Sequence, residues 1–413
     1  VDGDWNKAAI LTQQNFNSTV PYEATGEPQF RFGSFTTMGE LCIATGIDES
    51  GVSHYRRALS LDSALATVSF DAADGTHFER TTFVSYPANA MAVRFTASQP
   101  GKQNLQIAYT PSPVGEGQFS YDGKGRLTYC GSLDNNHMRY TVRLQVMPKG
   151  GTCTYSNNQV NIAGADRVDL LLTADTDYAP NYNPDWNDPL AYVGVNPDET
   201  TRNWLDKAQR QGYAKLLKAH LSDYQPLFNR VQFHLAGAAS AKPTNRRLAD
   251  YRKGTEDRAL ESLYFQFGRY LLIASSRPGN LPANLQGMWH NNVDGPWRVD
   301  YHNNINLQMN YWPAMSTNLP ECVEPFIDYV RALVKPGERV ARSYYNARGW
   351  TASISGNPFG FASPLNDESM TWNLCPMVGP WLATHLWDYY DYTRDTTFLR
   401  EIGYDVLRSS ARF

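Results

Sequence analysis

A β-sandwich followed by helices is expected from this 413-residue chain: strands over 1–175, a linker with helices over 176–250, and a helical domain over 251–413 whose loops build a cleft. The spacing of apolar residues predicts it first: period two up to about residue 175, and the 3.6 period of a helix beyond it. A composition break at 175–197, rich in Asp, Asn, Pro and Tyr, separates the two regimes.

The strands read in order. Segments 65–71 and 77–85 flank Asp74-Gly75, a hairpin turn because both residues tolerate positive φ. Segments 91–97 and 168–173 add further strands. Over 139–147, Tyr140, Val142, Leu144 and Val146 fall on one face and Thr141, Arg143 and Gln145 on the other. Short strands at close spacing without intervening helices suggest an antiparallel sandwich.

The helices follow. Residues 200–221 look helical, opened by Asp198 and Glu199 at the positive end of the helix dipole. Leu260, Leu263, Tyr264, Phe267 and Leu271 form one apolar stripe, and Cys322, Val323, Phe326, Ile327, Val330 and Leu333 a second. Leu382, His385, Leu386 and Tyr389 form a third, with His385 reading as a core histidine. Long loops over 277–299 and 349–375 separate these helices, and loops of such length inside a helical domain are usually functional.

Composition narrows the function classes. Hydrophobic residues make up 42% and charged residues 19%, which is globular and excludes a disordered chain. The net charge is −4, from 37 basic and 41 acidic side chains, so the basic footprint of nucleic-acid binding is missing. No apolar run approaches the ~18 residues of a membrane span. Cys42, Cys130, Cys153, Cys322 and Cys375 form no CxxC pair, which argues against a zinc site; spacing leaves a Cys130–Cys153 bridge open. With no metal cluster, nucleotide loop or redox motif, no cofactor is expected. The first residue is not Met and no leader follows, so the expectation is a removed signal or a start partway through a larger protein.

Residues 280–313 carry the chemistry. They combine Asn, Gln, His, Asp, Arg, Trp and Tyr with few aliphatics. Amides that donate and accept, interleaved with indole rings, suit a neutral ligand with many hydroxyls. A phosphate site would instead want Gly-rich backbone or Lys/Arg. A polar connection between helices explains the same composition as well.

The run Asp300-Tyr301-His302-Asn303-Asn304-Ile305-Asn306-Leu307-Gln308-Met309-Asn310-Tyr311-Trp312-Pro313 resembles the signature of glycoside hydrolase family 95, the inverting α-L-fucosidases. Arg277 through Gly287, Asn318-Leu319-Pro320-Glu321-Cys322 and Trp381 through Trp387 resemble the same family, and Tyr55 through Leu59 does so more weakly. The resemblance implies an N-terminal β-sandwich, a helical linker and an (α/α)6 barrel, incomplete here. It implies release of terminal α-L-fucose, α-1,2 linkages above all, from a fucosylated oligosaccharide. Asn304 and Asn306 would position the attacking water, and His302 would contact the sugar; a Thr at that place marks related α-L-galactosidases. Trp381 and Trp372 would stack on the ligand, Gln286 and Asn284 would bind hydroxyls, and Trp297 and Trp289 would line the entrance. The expected localisation is secreted or periplasmic.

The resemblance also places the general acid Glu and a supporting Asp beyond Phe413. The expectation is therefore an internal piece of a longer enzyme, missing the sandwich's first strands and inactive without its remaining C-terminal part. Asp294, Asp300, Glu321, Glu324, Asp367 and Glu368 are the carboxylates near the motif. Asp300 reads as orienting the His302 loop, Glu321 as opening a helix and Glu324 as facing solvent. An α-L-galactosidase and a noncatalytic fucose-binding protein stay open as alternatives.

Overall fold

The computed structural model describes residues 3–18, 32–185, 187–238, 240–293, 295–365 and 374–413. Two compact units share the chain: Thr36–Ala179 with Val193–Asn229, and Val1–Phe35 with Pro180–Tyr192 and Arg230–Phe413.

The first unit holds twelve strands: β1 (Gly39–Ala44), β2 (Ser53–Ser60), β3 (Leu65–Asp71), β4 (His77–Ser85), β5 (Ala90–Ala97), β6 (Gln103–Pro111), β7 (Glu116–Tyr121), β8 (Arg126–Ser132), β9 (Arg139–Lys149), β10 (Thr152–Ser156), β11 (Gln159–Ala165) and β12 (Arg167–Thr176). They form a four-stranded sheet in the order β1-β6-β11-β10 and an eight-stranded sheet in the order β2-β3-β4-β5-β12-β9-β8-β7, with antiparallel pairing throughout. Leu105, Ile107, Val160 and Ile162 of the smaller sheet share one core with Val93, Leu144, Val146 and Leu170 of the larger. The Tyr140-to-Val146 face expected to be apolar is the one that meets this core. Cys130 and Cys153 lie in different sheets and are both free thiols, so the bridge left open by their spacing does not form.

A helix, α2 (Pro197–Phe228), belongs to this unit rather than to a linker of its own. Its cap is Asn196, whose side chain accepts the Asp198 N–H, and Asp198 and Glu199 sit in its first turn. Gly212, at φ 72° and ψ 161°, breaks it in two, a conformation glycine adopts without steric cost. Leu205, Ala208 and Leu216 pack on Phe83, Ala92 and Leu171 of the larger sheet. The polar face of β9 is therefore covered by a helix rather than by water. Buried Arg143 reaches Thr128 Oγ1 at 2.9 Å, Thr201 Oγ1 at 3.1 Å and the Asp198 carboxylate. Arg126 bonds Asp206 at 2.7 Å from the neighbouring strand.

The second unit is helical, and it includes residues that the strand region was expected to hold. Helix α1 (Trp5–Asn15) starts on Asp4, whose carboxylate accepts the Lys7 N–H, and Phe16 beyond it packs on Tyr344 and Tyr345. Among the described residues the remaining α-helices of seven residues or more are α3 (Thr244–Tyr251), α4 (Arg258–Ser275), α5 (Asn306–Ser316), α6 (Glu324–Tyr345), α7 (Val378–Thr393) and α8 (Tyr404–Ser410). The stripe expected on α6 is the buried one. That on α4 is so only in part: Leu260 turns inward, joined by Leu272, Ile273 and Arg269 from outside the stripe, while Tyr264 is 77% exposed. Arg269 can be buried because its guanidinium donates to the Val231 carbonyl and to Gln266. Among the described residues no helix is long and apolar enough to cross a membrane.

Candidate functional site

The Asn- and Trp-rich segment is a loop held from below by buried hydroxyls. Ser276 Oγ shares a 2.7 Å hydrogen bond with the Tyr311 hydroxyl and donates to the Cys322 carbonyl at 2.8 Å. Tyr311 in turn accepts the Ala283 N–H at 2.9 Å, so α5 anchors the loop that precedes it. Complete burial raises the Tyr311 phenol well above its usual range and keeps it protonated.

Asn284 and Gln286 form the first bend. Asn284 Oδ1 accepts the Gln286 N–H at 3.1 Å, and its carbonyl accepts Asn310 Nδ2 at 3.0 Å. Gln286 Nε2 donates to the Pro296 carbonyl at 3.1 Å, while Oε1 is enclosed without a partner among the described residues. Next come Trp297, Arg298 and Val299, all left-handed at φ 52°, 59° and 53°. Three consecutive non-glycine residues there, one a buried β-branched valine, are strained, and such strain gathers at functional sites. The turn leaves Trp297 58% exposed, with its ring 6.5 Å from that of His302 in an edge-on arrangement. Trp289 is exposed as well.

The chain then enters a two-residue strand, β13 (Tyr301–His302), paired with β14 (Ser355–Gly356). Asp300 and His302, two residues apart, present their side chains to one another, and Asp300 Oδ1 meets His302 Nδ1 in a buried pair. Burial pushes the Asp300 carboxyl up, opposed by His302 and Ser355. Its Oδ2 is enclosed without a hydrogen bond among the described residues.

The three asparagines that follow have different surroundings. Asn303 is fully buried: Tyr329 donates to its Oδ1 at 3.1 Å, its Nδ2 donates to the Ser353 carbonyl at 3.2 Å, and its N–H reaches the Ile354 carbonyl at 2.7 Å. Gln308 Nε2 donates to its carbonyl. Asn304 is half-buried, with Oδ1 enclosed and unpartnered among the described residues. Asn306 is half-buried at the first position of α5, near the positive end of that helix. The fold therefore holds Asn303 as an anchor and, among the described residues, leaves the amides on either side of Ile305 uncommitted. Gly356 makes the anchor possible, because a Cβ there would stand 2.0 Å from the Tyr329 hydroxyl and 2.8 Å from Asn303 Nδ2.

Trp381 lies half-buried in the first turn of α7, which packs against α5. Its carbonyl lies 3.2 Å from Nδ1 of His385, a buried residue against Phe326 whose pKa is lowered by burial. Trp372, Asp294, Asp367 and Glu368 lie outside the described residues. Glu321 forms a two-pronged pair with Arg230 at 2.8 and 2.9 Å, which holds its carboxyl below the usual range. A carboxylate held ionised this way is a poor proton donor. Glu324 is exposed in the first turn of α6.

The loop thus brings Trp297, Asp300 and His302 together beside the Asn304–Asn306 step. A cavity of about 410 Å³ opens elsewhere in this unit, lined by residues including Lys242, Arg247, Tyr251 and Arg258. Its Arg247–Asp257 and Lys242–Asp250 pairs satisfy one another at 2.8 and 2.7 Å. Among the described residues no three His, Cys, Asp or Glu side chains could hold a metal ion together.

Comparison with known proteins adds sequence and fold relationships. Residues 212–413 match the Glycosyl hydrolase family 95 catalytic domain, and residues 5–181 match the Glycosyl hydrolase family 65, N-terminal domain. The chain is 33% identical to "Alpha-L-fucosidase 2" of Arabidopsis thaliana, over 87% of this chain and 45% of that protein. It is 32% identical to "Probable alpha-fucosidase A" of Aspergillus niger, over 92% of this chain and 48% of that protein. It spans about half the length of these curated relatives. Its fold is similar to that of a solved "Putative kojibiose phosphorylase from human microbiome", at a TM-score of 0.60 and 9% identity, over 92% of this chain and 49% of that one.

Proposed function

The chain belongs to glycosyl hydrolase family 95 through residues 212–413, and from that premise we propose that it binds terminal α-L-fucosyl groups for hydrolysis with inversion, preferably at α-1,2 linkages. The observation that carries the reading is the enclosed Asn304 Oδ1, without a partner among the described residues, two residues from the buried His302. A buried acceptor without a partner costs on the order of 1–3 kcal/mol, and a ligand hydroxyl or a water molecule would offset that cost.

In this reading Asn304 and Asn306 hold the attacking water. A neutral amide is a weak base, so it orients the water and depends on a carboxylate to take up the proton. A general acid must stand across the scissile bond, roughly 6.5–9.5 Å from the base, to leave room for that water. Arg230 disqualifies Glu321 from this role, and the proposal assigns the acid to no described carboxylate of this chain. The α/α-barrel architecture expected for the helical part is proposed on the same footing.

Calorimetric titration of the 413-residue chain with L-fucose, L-galactose and D-glucose tests the binding step. L-Fucose should bind saturably and more tightly than the other two, and His302→Ala should abolish the heat. Equal binding of D-glucose, or none of any sugar, would overturn the reading. Where turnover is observed, NMR of the early product should show β-L-fucose, and first-formed α-anomer would exclude inversion.

A further inference from the structure

We propose that Asp300 is a positioning residue that keeps the proton of His302 on Nδ1, leaving Nε2 as an acceptor for one hydroxyl of the bound sugar. The inference rests on the fucoside reading for the identity of the ligand and on the geometry of the pair for everything else. Asp300 is taken as ionised, which its contact with His302 favours against burial; an ionised carboxylate only accepts hydrogen bonds, so the ring nitrogen against Asp300 Oδ1 is then the protonated one. In a neutral imidazole the other nitrogen then carries a lone pair.

Three features hold this arrangement. Pairing of β13 with β14 sets His302 opposite Ser355, which fixes the backbone under the ring. The Leu285 N–H donates to the Asp300 carbonyl at 3.0 Å, and the Asp300 N–H donates to Trp297 at 3.3 Å, so the carboxylate rides on the strained turn. The indole of Trp297 limits the ring edge-on. His302 is 7% exposed, and its Nε2 has no partner among the described residues. The ring is nearly buried while its unpartnered Nε2 is not among the enclosed polar atoms, so that nitrogen stays open to a ligand hydroxyl, and an acceptor there selects an O–H over a fluorine or hydrogen.

Long-range ¹H–¹⁵N correlation on the labelled chain tests the assignment directly, with His302→Gln identifying the signals. The expected spectrum near neutral pH has protonated Nδ1 and unprotonated Nε2. The opposite tautomer, which a protonated Asp300 would enforce, or a full imidazolium overturns the proposal. Titration with L-fucose and its monodeoxyfluoro analogues tests the consequence. One analogue should bind about tenfold more weakly than L-fucose, the scale of one lost hydrogen bond to a ligand. In Asp300→Asn the amide can donate to Nδ1 and release the tautomer, so that preference should shrink to about threefold or less while the thermal melt is retained. An unchanged analogue pattern in a folded Asp300→Asn also overturns it. If that variant does not fold, the wild-type spectrum decides. If wild type binds no sugar, the fucoside reading fails, and the spectrum still decides the role of Asp300.

Discussion

Asn303, Asn304 and Asn306 are the same residue type within four positions, yet their environments assign them opposite consequences on substitution. Asn303→Ala removes the partner of the Tyr329 hydroxyl and strands the Ser353 carbonyl inside the helical unit. Leaving buried groups unpaired should cost about 1–3 kcal/mol, visible as a lower melting temperature. Asn304→Ala and Asn306→Ala break no described side-chain hydrogen bond, so their melts should match wild type while sugar binding or turnover falls. If Asn304→Ala melts as low as Asn303→Ala, Asn304 is a packing residue and the assignment of the pair fails. Thiol chemistry gives a second test at this scale. Cys42, Cys130 and Cys153 are exposed free thiols, whereas Cys322 is buried and burial pushes its pKa up to about 12. Iodoacetamide at pH 8 should alkylate the first three in the native chain and reach Cys322 only after denaturation. Mass-spectrometric detection of rapid native labelling at Cys322 would contradict this packing.

Helix α2 is the element where sequence and fold differ most usefully. Its existence and acidic start were legible, because Asp198 and Glu199 precede a helical period. Its place on the polar face of β9 was not, because Thr141, Arg143 and Gln145 read like any solvated strand face. The difference lies in long-range pairs such as Arg143 with Thr201 and Arg126 with Asp206, 58 and 80 residues apart. The same limit explains α4, where an apolar stripe was readable but Arg269, not Tyr264, turned inward. It also explains the candidate site: His302, Asn304 and Asn306 stood out in one motif, while Tyr329, Gly356 and Ser353, which position Asn303, carry no local signal. Helix α2 has its own pH dependence through His220, stacked on Phe83 with Nε2 donating to the Ser63 carbonyl at 2.8 Å. Burial lowers the His220 pKa below its unfolded value of about 6.5. The folded state then resists protonation, so this contribution is fully present above pH 6.5 and is lost as pH falls toward the lowered value. Denaturant melts of the β unit should therefore weaken from pH 7 to pH 5, and His220→Gln should flatten that slope. Equal slopes in the two proteins would remove His220 as its source.

At the scale of the whole chain, the two units predict separable stability, because each contains its own buried core. Residues 36–229 include both sheets, the shared cluster around Ile107 and Leu144, and the helix that covers β9. The ion pairs that fasten the helix, Arg143–Asp198 and Arg126–Asp206, also lie inside this stretch. Expressed alone, residues 36–229 should therefore fold cooperatively, with β-rich far-ultraviolet dichroism and a single denaturant transition. Ile107→Ala should destabilise this piece by about 2–5 kcal/mol, since it empties a fully buried position between the two sheets. The same substitution in the full chain should shift the β-unit transition by a similar amount. Phe326→Ala, in the core of the helical unit, should leave that transition where it is, because substitutions in separate cores without shared partners act independently. An isolated 36–229 piece that stays unfolded, or a β transition that moves with Phe326→Ala, would show that the sheets draw their stability from outside their own core.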